Sequence, residues 1–307
     1  CNFYMPIFEE ALDAYGLPLE LRYLPIIESA LNPSAVSRAG ASGLWQFMIG
    51  TGKIYGLESN SLVDERRDPI KATWAAARYL KEMYDIYGDW NLVIAAYNCG
   101  PGTINKAIRR ANGETDYWKI YNYLPKETRG YVPAFIAANY VMTYYCDHNI
   151  CPMETNIPAS TDTVQVNKNL HFEQIADLCN VPLDQIKSLN PQYKKQMIPG
   201  DSKPYTLRLP IDAISTFIDK QDTIYAHRAD ELFRNRKTVA VKEITPSTRK
   251  TTTAVAGKGK LTYYTIKSGD TLSTIAGKYG VTIKDIQRWN GMSNTKIAAG
   301  KRLKIYK

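Results

Sequence analysis

The chain has 307 residues, 44% apolar and 22% charged, with 39 Lys and Arg against 30 Asp and Glu. At this length that composition predicts more than one folded domain and excludes a disordered or fibrous chain. No run of about 18 apolar residues occurs, so no membrane-spanning helix is expected.

Residues 1–150 read as helical. Pro18 sits at a helix start, where its missing N–H costs nothing. One helix is expected over PLELRYLPIIESAL (18–31), kinked at Pro25 and stopped at Asn32-Pro33. Residues 69–87 repeat apolar positions at i, i+3 and i+4, with a Pro in the first turn and Gly88 after the last. WNLVIAAYN (90–98) ends at a CGPG breaker, and 103–111 make a short helix. ETRGYVPAFIAANYVMTYY (127–145) makes a long apolar helix with a kink expected at Pro133. Repeated helices without alternating strands predict an all-α domain over 1–152.

After residue 152 short alternating runs appear (163–166, 207–209, 263–266, 303–306), each pair flanking helical segments. Shifting 162–210 by 100 positions lays Val166 on Ile266, Ile175 on Ile275, Val181 on Val281, Ile186 on Ile286, Asn190 on Asn290 and Gly200 on Gly300. Two β-α-α-β units are expected, over 160–212 and 261–307, joined by a linker with a helical start (213–260). Residues 236–260 have the Thr-, Lys- and Ala-rich composition of a linker. Units of about 45 residues bind rather than catalyse, because so small a core leaves no room for a cleft.

The charge is uneven. Residues 1–150 hold 14 Lys and Arg against 16 Asp and Glu, and residues 151–307 hold 25 against 14. The basic half is either a solvated surface with a basic linker or an attractor for an anionic polymer. The chain opens at Cys1 with neither Met nor a basic, apolar leader, so a cut within a longer chain is expected rather than a lipidated first residue. Cys146 and Cys151 could close a small disulfide loop or remain thiols. With three histidines and no ligand spacing, no metal site, cofactor or Cys–His triad is expected.

Three stretches carry candidate chemistry. On a helix, Glu28 shares a face with Leu21, Leu24 and Leu31. Desolvation there would raise its pKa, as a general acid requires. The alternative is a Glu at the stripe's edge paired with Arg22 or Arg38. In SRAGASGLWQFM (37–48) small residues allow close backbone approach, Trp45 offers an apolar platform and Gln46 an amide. The alternative is a tight turn into a buried helix. In AAYNCGPG (95–102) Tyr97 and Asn98 sit at a helix end that either aims them into a cleft or merely stops. Of 22 tyrosines, 15 lie in residues 1–150, which suits sugar stacking as well as ordinary core packing.

In order, ESALNPSAVSRAGASGLWQFM, AAYNCGPG and ETRGYVPAF resemble the soluble lytic transglycosylase family, related to goose-type lysozyme, over roughly residues 5–150. GLWQF stands where GLMQ is commoner. YYTIKSGDTLSTIAGKYGVTIKDIQRWNG resembles the lysin motif (LysM), which binds N-acetylglucosamine-containing glycans. The first copy departs from it, with Asn169-Leu170-His171 for Gly269-Asp270-Thr271 and Leu189 for Trp289, so its fold is expected without its sugar binding. The resemblance implies a multidomain chain: an all-α lysozyme-like catalytic domain followed by two LysM-type modules.

By that resemblance Glu28 is the single acid/base acting between N-acetylmuramic acid and N-acetylglucosamine. The sugar's acetamido group and 6-hydroxyl replace a second carboxylate, giving a 1,6-anhydro end. Asp64, Glu65 and Asp68 of DERRDP read as Arg-paired loop acids. Ser37 would orient Glu28 or the acetamido group. Gln46 and Asn98 would bind the N-acetyl and hydroxyl groups, Tyr97 would bond near Glu28, and Tyr131 would close the cleft floor. Cys99 reads as a small buried hydrophobe. In the clear LysM copy Gly269, Asp270 and Thr271 would face Ile297 and Gly300 across a glycan groove. The implied partners are peptidoglycan strands in the periplasmic envelope, with membrane association through a segment outside this chain and no nucleic acid. The rival readings are a hydrolytic muramidase and a non-catalytic wall-binding protein.

Overall fold

Prolines and side-chain caps decide where the helices begin. The computed structural model describes residues 3–150, 157–158, 160–233, 261–267, 269–292, 297–298 and 300–306. They form two compact units, residues 1–245 and 246–307. The first opens with α1 (Met5–Ala14), a 3-10 turn (Leu19–Tyr23), α2 (Leu24–Ser29), α3 (Ile49–Ile54), α4 (Pro69–Tyr87), α5 (Trp90–Cys99), α6 (Pro101–Arg110), α7 (Tyr117–Ile120) and α8 (Lys126–Thr143).

The single kinked helix expected over 18–31 is instead two pieces. Pro25 has no N–H to give and its ring would strike the preceding turn, so the chain restarts with Pro25 in the first turn of α2. α2 ends early because Ala30 and Leu31 both take left-handed backbone, φ 51° and 60°. Leu31 is thus off the helix and does not extend the Glu28 face. α4 follows the sequence closely. The Asp68 side chain accepts from Ile70 and Lys71 N–H at 2.9 and 3.0 Å, a cap worth about 1 kcal/mol. Pro69 fills the first helical position and Gly88 closes the helix at φ 62°. α8 continues through Pro133. Phe8, Leu12, Leu24, Trp45, Leu80 and Leu92 are wholly buried in the core these helices share.

The same unit continues with β1 (Thr161–Val166), β2 (Asn169–His171), α9 (Phe172–Cys179), α10 (Leu183–Leu189), β3 (Met197–Pro199), β4 (Tyr205–Pro210), α11 (Ile211–Asp219), α12 (Gln221–Ala226) and α13 (Ala229–Leu232). β1 and β4 pair antiparallel, Thr161 opposite Pro210. Asn169-Leu170-His171 is a strand rather than a turn: it pairs with Met197–Pro199 and drives Leu170 into the core. The segment expected to begin a linker at residue 213 is folded as far as Phe233. Phe217 and Ile224 on its helices complete the core of this module. Residues 236–260 and Cys151 lie outside the described residues.

Two further members of that core come from far upstream. Leu62 and Val63 pack among Val166, Phe172, Ile186 and Leu207. They ride on a tight loop in which Asn60 Oδ1 accepts from Leu62 and Val63 N–H at 2.8 and 2.7 Å. Val63 bridges Tyr193, and Lys194 N–H donates to Leu62 O at 2.8 Å. The α-helical half therefore lends two side chains to the core of the first module.

The second unit is β5 (Leu261–Thr265), α14 (Leu272–Tyr279), α15 (Ile283–Asn290) and β6 (Arg302–Tyr306), with the strands antiparallel and Thr262 opposite Ile305. Its core holds Ile266, Leu272, Ile275, Ile286, Trp289 and Ile305. Thr271 and Thr282 each close a capping box on the helix that follows. Asn290 ties α15 to the closing strand by bonds to Ile286 O and to both polar backbone groups of Lys304.

Candidate active site

Glu28 projects from the last turn of α2, half-buried. The phenol of Tyr131, on α8, donates to its Oε1. Burial raises the carboxyl to about 7. The Tyr131 bond favours the charged form and pulls the other way, while the Glu127 charge adds to the rise. Arg22 is engaged by Glu9 at 2.6 Å, and the partner Glu28 takes is a neutral phenol. Burial, with the Glu28 charge added, holds the Tyr131 and Tyr97 phenols protonated.

Three more side chains gather the surrounding elements. Tyr97 on α5 donates to the Trp45 carbonyl at 2.7 Å. Thr128 Oγ1 on α8 donates to Asn98 Oδ1 at 2.8 Å. Ser29 Oγ, one residue beyond Glu28, meets the carbonyls of Pro25 and Leu44 at 3.0 and 2.9 Å. Tyr97 and Tyr131 are thus brought to Glu28 by α5 and α8, and Asn98 is tied to α8 through Thr128. Ser29, Thr128 and Glu127 were not singled out from sequence. Ser29 lies beside Glu28, and Glu127 and Thr128 open the ETRGYVPAF stretch a turn before Tyr131, where reasoning one residue at a time passes over a neighbour whose work is structural.

The 37–48 loop differs from expectation in two respects. Trp45 is no platform: it is wholly buried, with Nε1 donating to Thr73 Oγ1 at 2.9 Å. Ser37 is exposed and its Oγ accepts from Ala41 N–H at 3.0 Å, closing its own loop. Gln46 takes left-handed backbone, φ 47°. Its Nε2 donates to Gly43 O at 2.8 Å and Ala35 O at 3.3 Å, so the amide nitrogen is committed to carbonyls of the protein itself. Gly43 is the tightest point. At φ +89° a Cβ there would lie 1.7 Å from the Arg66 carbonyl oxygen, so the close backbone approach is to the protein itself.

Of the three DERRDP acids only Asp64 is Arg-paired. Arg66 Nε and Nη2 each reach its carboxylate at 2.8 Å. Burial opposes the Asp64 charge, but Arg66 and Lys194 hold the carboxyl below the usual range. Glu65 pairs with Lys71 at 2.5 Å, and Asp68 caps α4. Cys99 is partly buried, its thiol pKa raised by burial. Among the described residues no group of three or more His, Cys, Asp or Glu could hold a metal ion. None of their helices is long and apolar enough to cross a membrane.

In the second unit Gly269 and Gly300 take φ 89° and 85°, and Ile297 packs against the core. Asp270 Oδ2 accepts from Tyr264 OH at 2.7 Å and Lys267 N–H at 2.8 Å. The N–H groups of Asp270 and Thr271 turn inward to Lys267 O and Thr274 Oγ1. The turn's own backbone is therefore organised internally rather than left open.

The Tyr131 bond gives a signed expectation. Tyr131→Phe removes a donor that favours the carboxylate, so the Glu28 pKa should rise by roughly one further unit. The alkaline limb of kcat/KM against pH then moves upward. A limb that stays in place or moves down would contradict this assignment of the bond.

Residues 5–120 match the transglycosylase SLT domain family, residues 160–226 the LysM-like domain of lytic transglycosylase MltD, and residues 264–305 the LysM domain. Membrane-bound lytic murein transglycosylase D of Escherichia coli K12 is 33% identical over 296 residues, covering 94% of this chain and 60% of that protein. Soluble lytic murein transglycosylase of the same strain is 33% identical over 124 residues, 38% of this chain and 19% of that one. The crystal structure of the 70 kDa soluble lytic transglycosylase from Escherichia coli aligns at 29% identity and a TM-score of 0.41, over 47% of this chain and 24% of that chain. The chain thus spans about three fifths of the length of the type D relative. It carries a lytic-transglycosylase SLT domain followed by an MltD-type LysM-like domain and a LysM domain, and is close to the membrane-bound lytic murein transglycosylases of type D.

Proposed function

We propose that this chain is a peptidoglycan lytic transglycosylase of the periplasmic envelope. The observation that carries the reading is Glu28: a carboxyl raised to about 7 by burial and bound to Tyr131, within an SLT domain. Protonated, it delivers its proton to the glycosidic oxygen between N-acetylmuramic acid and N-acetylglucosamine as the C1–O bond breaks. The substrate's acetamido group stabilises the cation. The 6-hydroxyl then attacks C1, and Glu28, now a carboxylate, takes that hydroxyl's proton. Gln46 and Asn98 bind N-acetyl and hydroxyl groups, Ser37 supports the loop, and Tyr97 and Tyr131 fix the wall and the acid. The phenol's preference for the carboxylate form assists the first proton transfer, in which Glu28 gives up its proton, and resists the second, in which it takes one back.

One observation favours a second reading. Glu127, exposed in the first turn of α8, is close enough for its charge to raise the Glu28 pKa. A hydrolytic muramidase would use such a group as base for a water. Digestion of peptidoglycan in heavy-oxygen water separates the two. Transglycosylation leaves anhydro-muramic acid ends without solvent oxygen, and labelling of most new ends would establish the muramidase instead.

The second unit is the wall-binding module, with Gly269, Asp270, Thr271, Ile297 and Gly300 lining the glycan groove. Deleting residues 258–307 should weaken binding to insoluble peptidoglycan by about tenfold or more through lost effective concentration. Cleavage of soluble fragments should change little. Pull-downs at low and high salt remove the screenable contribution of the basic linker. Undiminished binding by the truncated chain would shift the role to the first module.

A further inference from the structure

The first LysM-type module belongs to the same compact unit as the catalytic helices, and one chain of contacts runs from it to the Gln46 loop. On the module side, Lys194 Nζ donates to Asn60 O at 2.8 Å and lies 3.5 Å from Asp64 Oδ2. The Gln192 carbonyl accepts from Asp64 N–H at 2.9 Å. Asp64, 1% exposed, holds the guanidinium of Arg66, 5% exposed, through two bonds. Arg66 Nη1 then donates to Gly40 O at 2.8 Å and Phe47 O at 2.9 Å. Those two carbonyls stand at either end of the segment that presents Gln46. Arg67 adds a bond from Nε to Ser42 Oγ at 3.1 Å inside it.

The planar fork of Arg66 makes this a fixed connection. Its Nε and Nη2 face the carboxylate and its Nη1 faces the two carbonyls, so Asp64 sets the angle at which the loop ends are held. Asp64 is itself fastened from the module by Gln192 and Lys194, in addition to its bridge to Ser59 and the Arg67 N–H within its own loop. Desolvation makes the pairing stringent, since a buried carboxylate and guanidinium tolerate no loss of partner.

We propose that the first module is a brace for the catalytic cleft: Lys194 and Gln192 fix Asp64, and Asp64 aims Arg66 so that the Gly40–Phe47 segment holds Gln46 in place. Lys194, Asp64 and Arg66 are positioning residues in this scheme. The module's bonds to the 60–64 loop, and a strand with buried Leu170 where the other copy has its 269–271 turn, give it work other than sugar binding. The inference builds on Gln46 as a sugar-binding residue, but its principal test needs no turnover.

Amide hydrogen exchange on the full chain provides that test. Lys194→Met keeps the apolar stem and removes the charge. Amides of residues 40–47 should then exchange about 5–30-fold faster, while those within α4 and α5 keep their wild-type rates. Lys194→Arg should restore protection. On soluble glycan fragments Lys194→Met should raise KM several-fold with the alkaline limb of the pH profile unmoved, since Glu28 and Tyr131 are untouched. Unchanged exchange at 40–47 would overturn the brace, and so would a uniform rise across the unit, which is the signature of a merely destabilised fold. A wild-type chain that cleaves nothing would sink the transglycosylase reading yet leave the exchange comparison standing.

Discussion

Glu28→Gln should lower turnover by about 10²–10⁴-fold or more while leaving the fold intact. The amide keeps the carboxyl's shape, and its Oε1 still accepts from Tyr131, so the half-buried site stays filled. What it loses is a proton to deliver. The pH dependence follows from the same group. With a pKa about 7, Glu28 is protonated in slightly acid solution and ionised in alkaline solution, so wild-type kcat/KM should fall as pH rises through 7. The stability sign is the reverse of a salt-bridged acid's. A carboxyl raised in the folded state stabilises most below its ordinary value of 4.5, and that contribution is lost as pH rises through about 7. Glu28→Gln should therefore be at least as stable as wild type at pH 8 by thermal unfolding. Near wild-type turnover by the variant would eliminate Glu28 as the acid.

Gly43→Ala should damage the fold as well as the site. A left-handed φ of +89° strains any L-residue, and the added methyl meets the Arg66 carbonyl at 1.7 Å. Strain of about 1–3 kcal/mol and overpacking of about 1–3 kcal/mol act together, because the atom struck is backbone and cannot rotate away. The unfolding midpoint of the first unit should fall by roughly 10 °C. Since Arg66 also holds Gly40 and Phe47, any shift that relieves the clash moves the Gln46 segment too. Gly40→Ala makes a useful contrast, with a similar φ but no atom within 4 Å of the added carbon. Equal effects at the two glycines would show that strain, and not the clash, governs the loop.

Local chemistry was legible in the sequence where one element decided it. Pro69 and Gly88 mark both ends of α4, although the cap itself, Asp68, read as an Arg-paired loop acid, and the 100-residue shift exposes the paired modules, because helix breakers and core periodicity act over a few residues. Trp45 illustrates the opposite case. Its role depends on Thr73 and Phe8, brought to it by α4 and α1, and no spacing in the chain foretells that meeting. Pro25 was seen as a kink because a lone proline says only that a helix is disturbed. Whether the chain bends or restarts depends on how the flanking leucines are buried. Glu28, Tyr97, Asn98 and Tyr131 could be named one by one, but the acid's bond to Tyr131 joins positions 103 residues apart. Leu62 and Val63 were the least legible, since they look like an ordinary apolar pair in a polar loop.

That pair gives the newly made chain an order of events. When the helical half leaves the ribosome, Leu62 and Val63 have no interior to enter, for their neighbours run from Val166 to Ile224. At about 5–20 residues per second the wait is on the order of ten seconds. During it the loop remains wet, and roughly 3–6 kcal/mol of apolar burial is withheld from the helical half. Completion of the 60–64 loop is thus tied to synthesis of the module, so a nascent chain carries the whole helical sequence well before that loop has a core to enter.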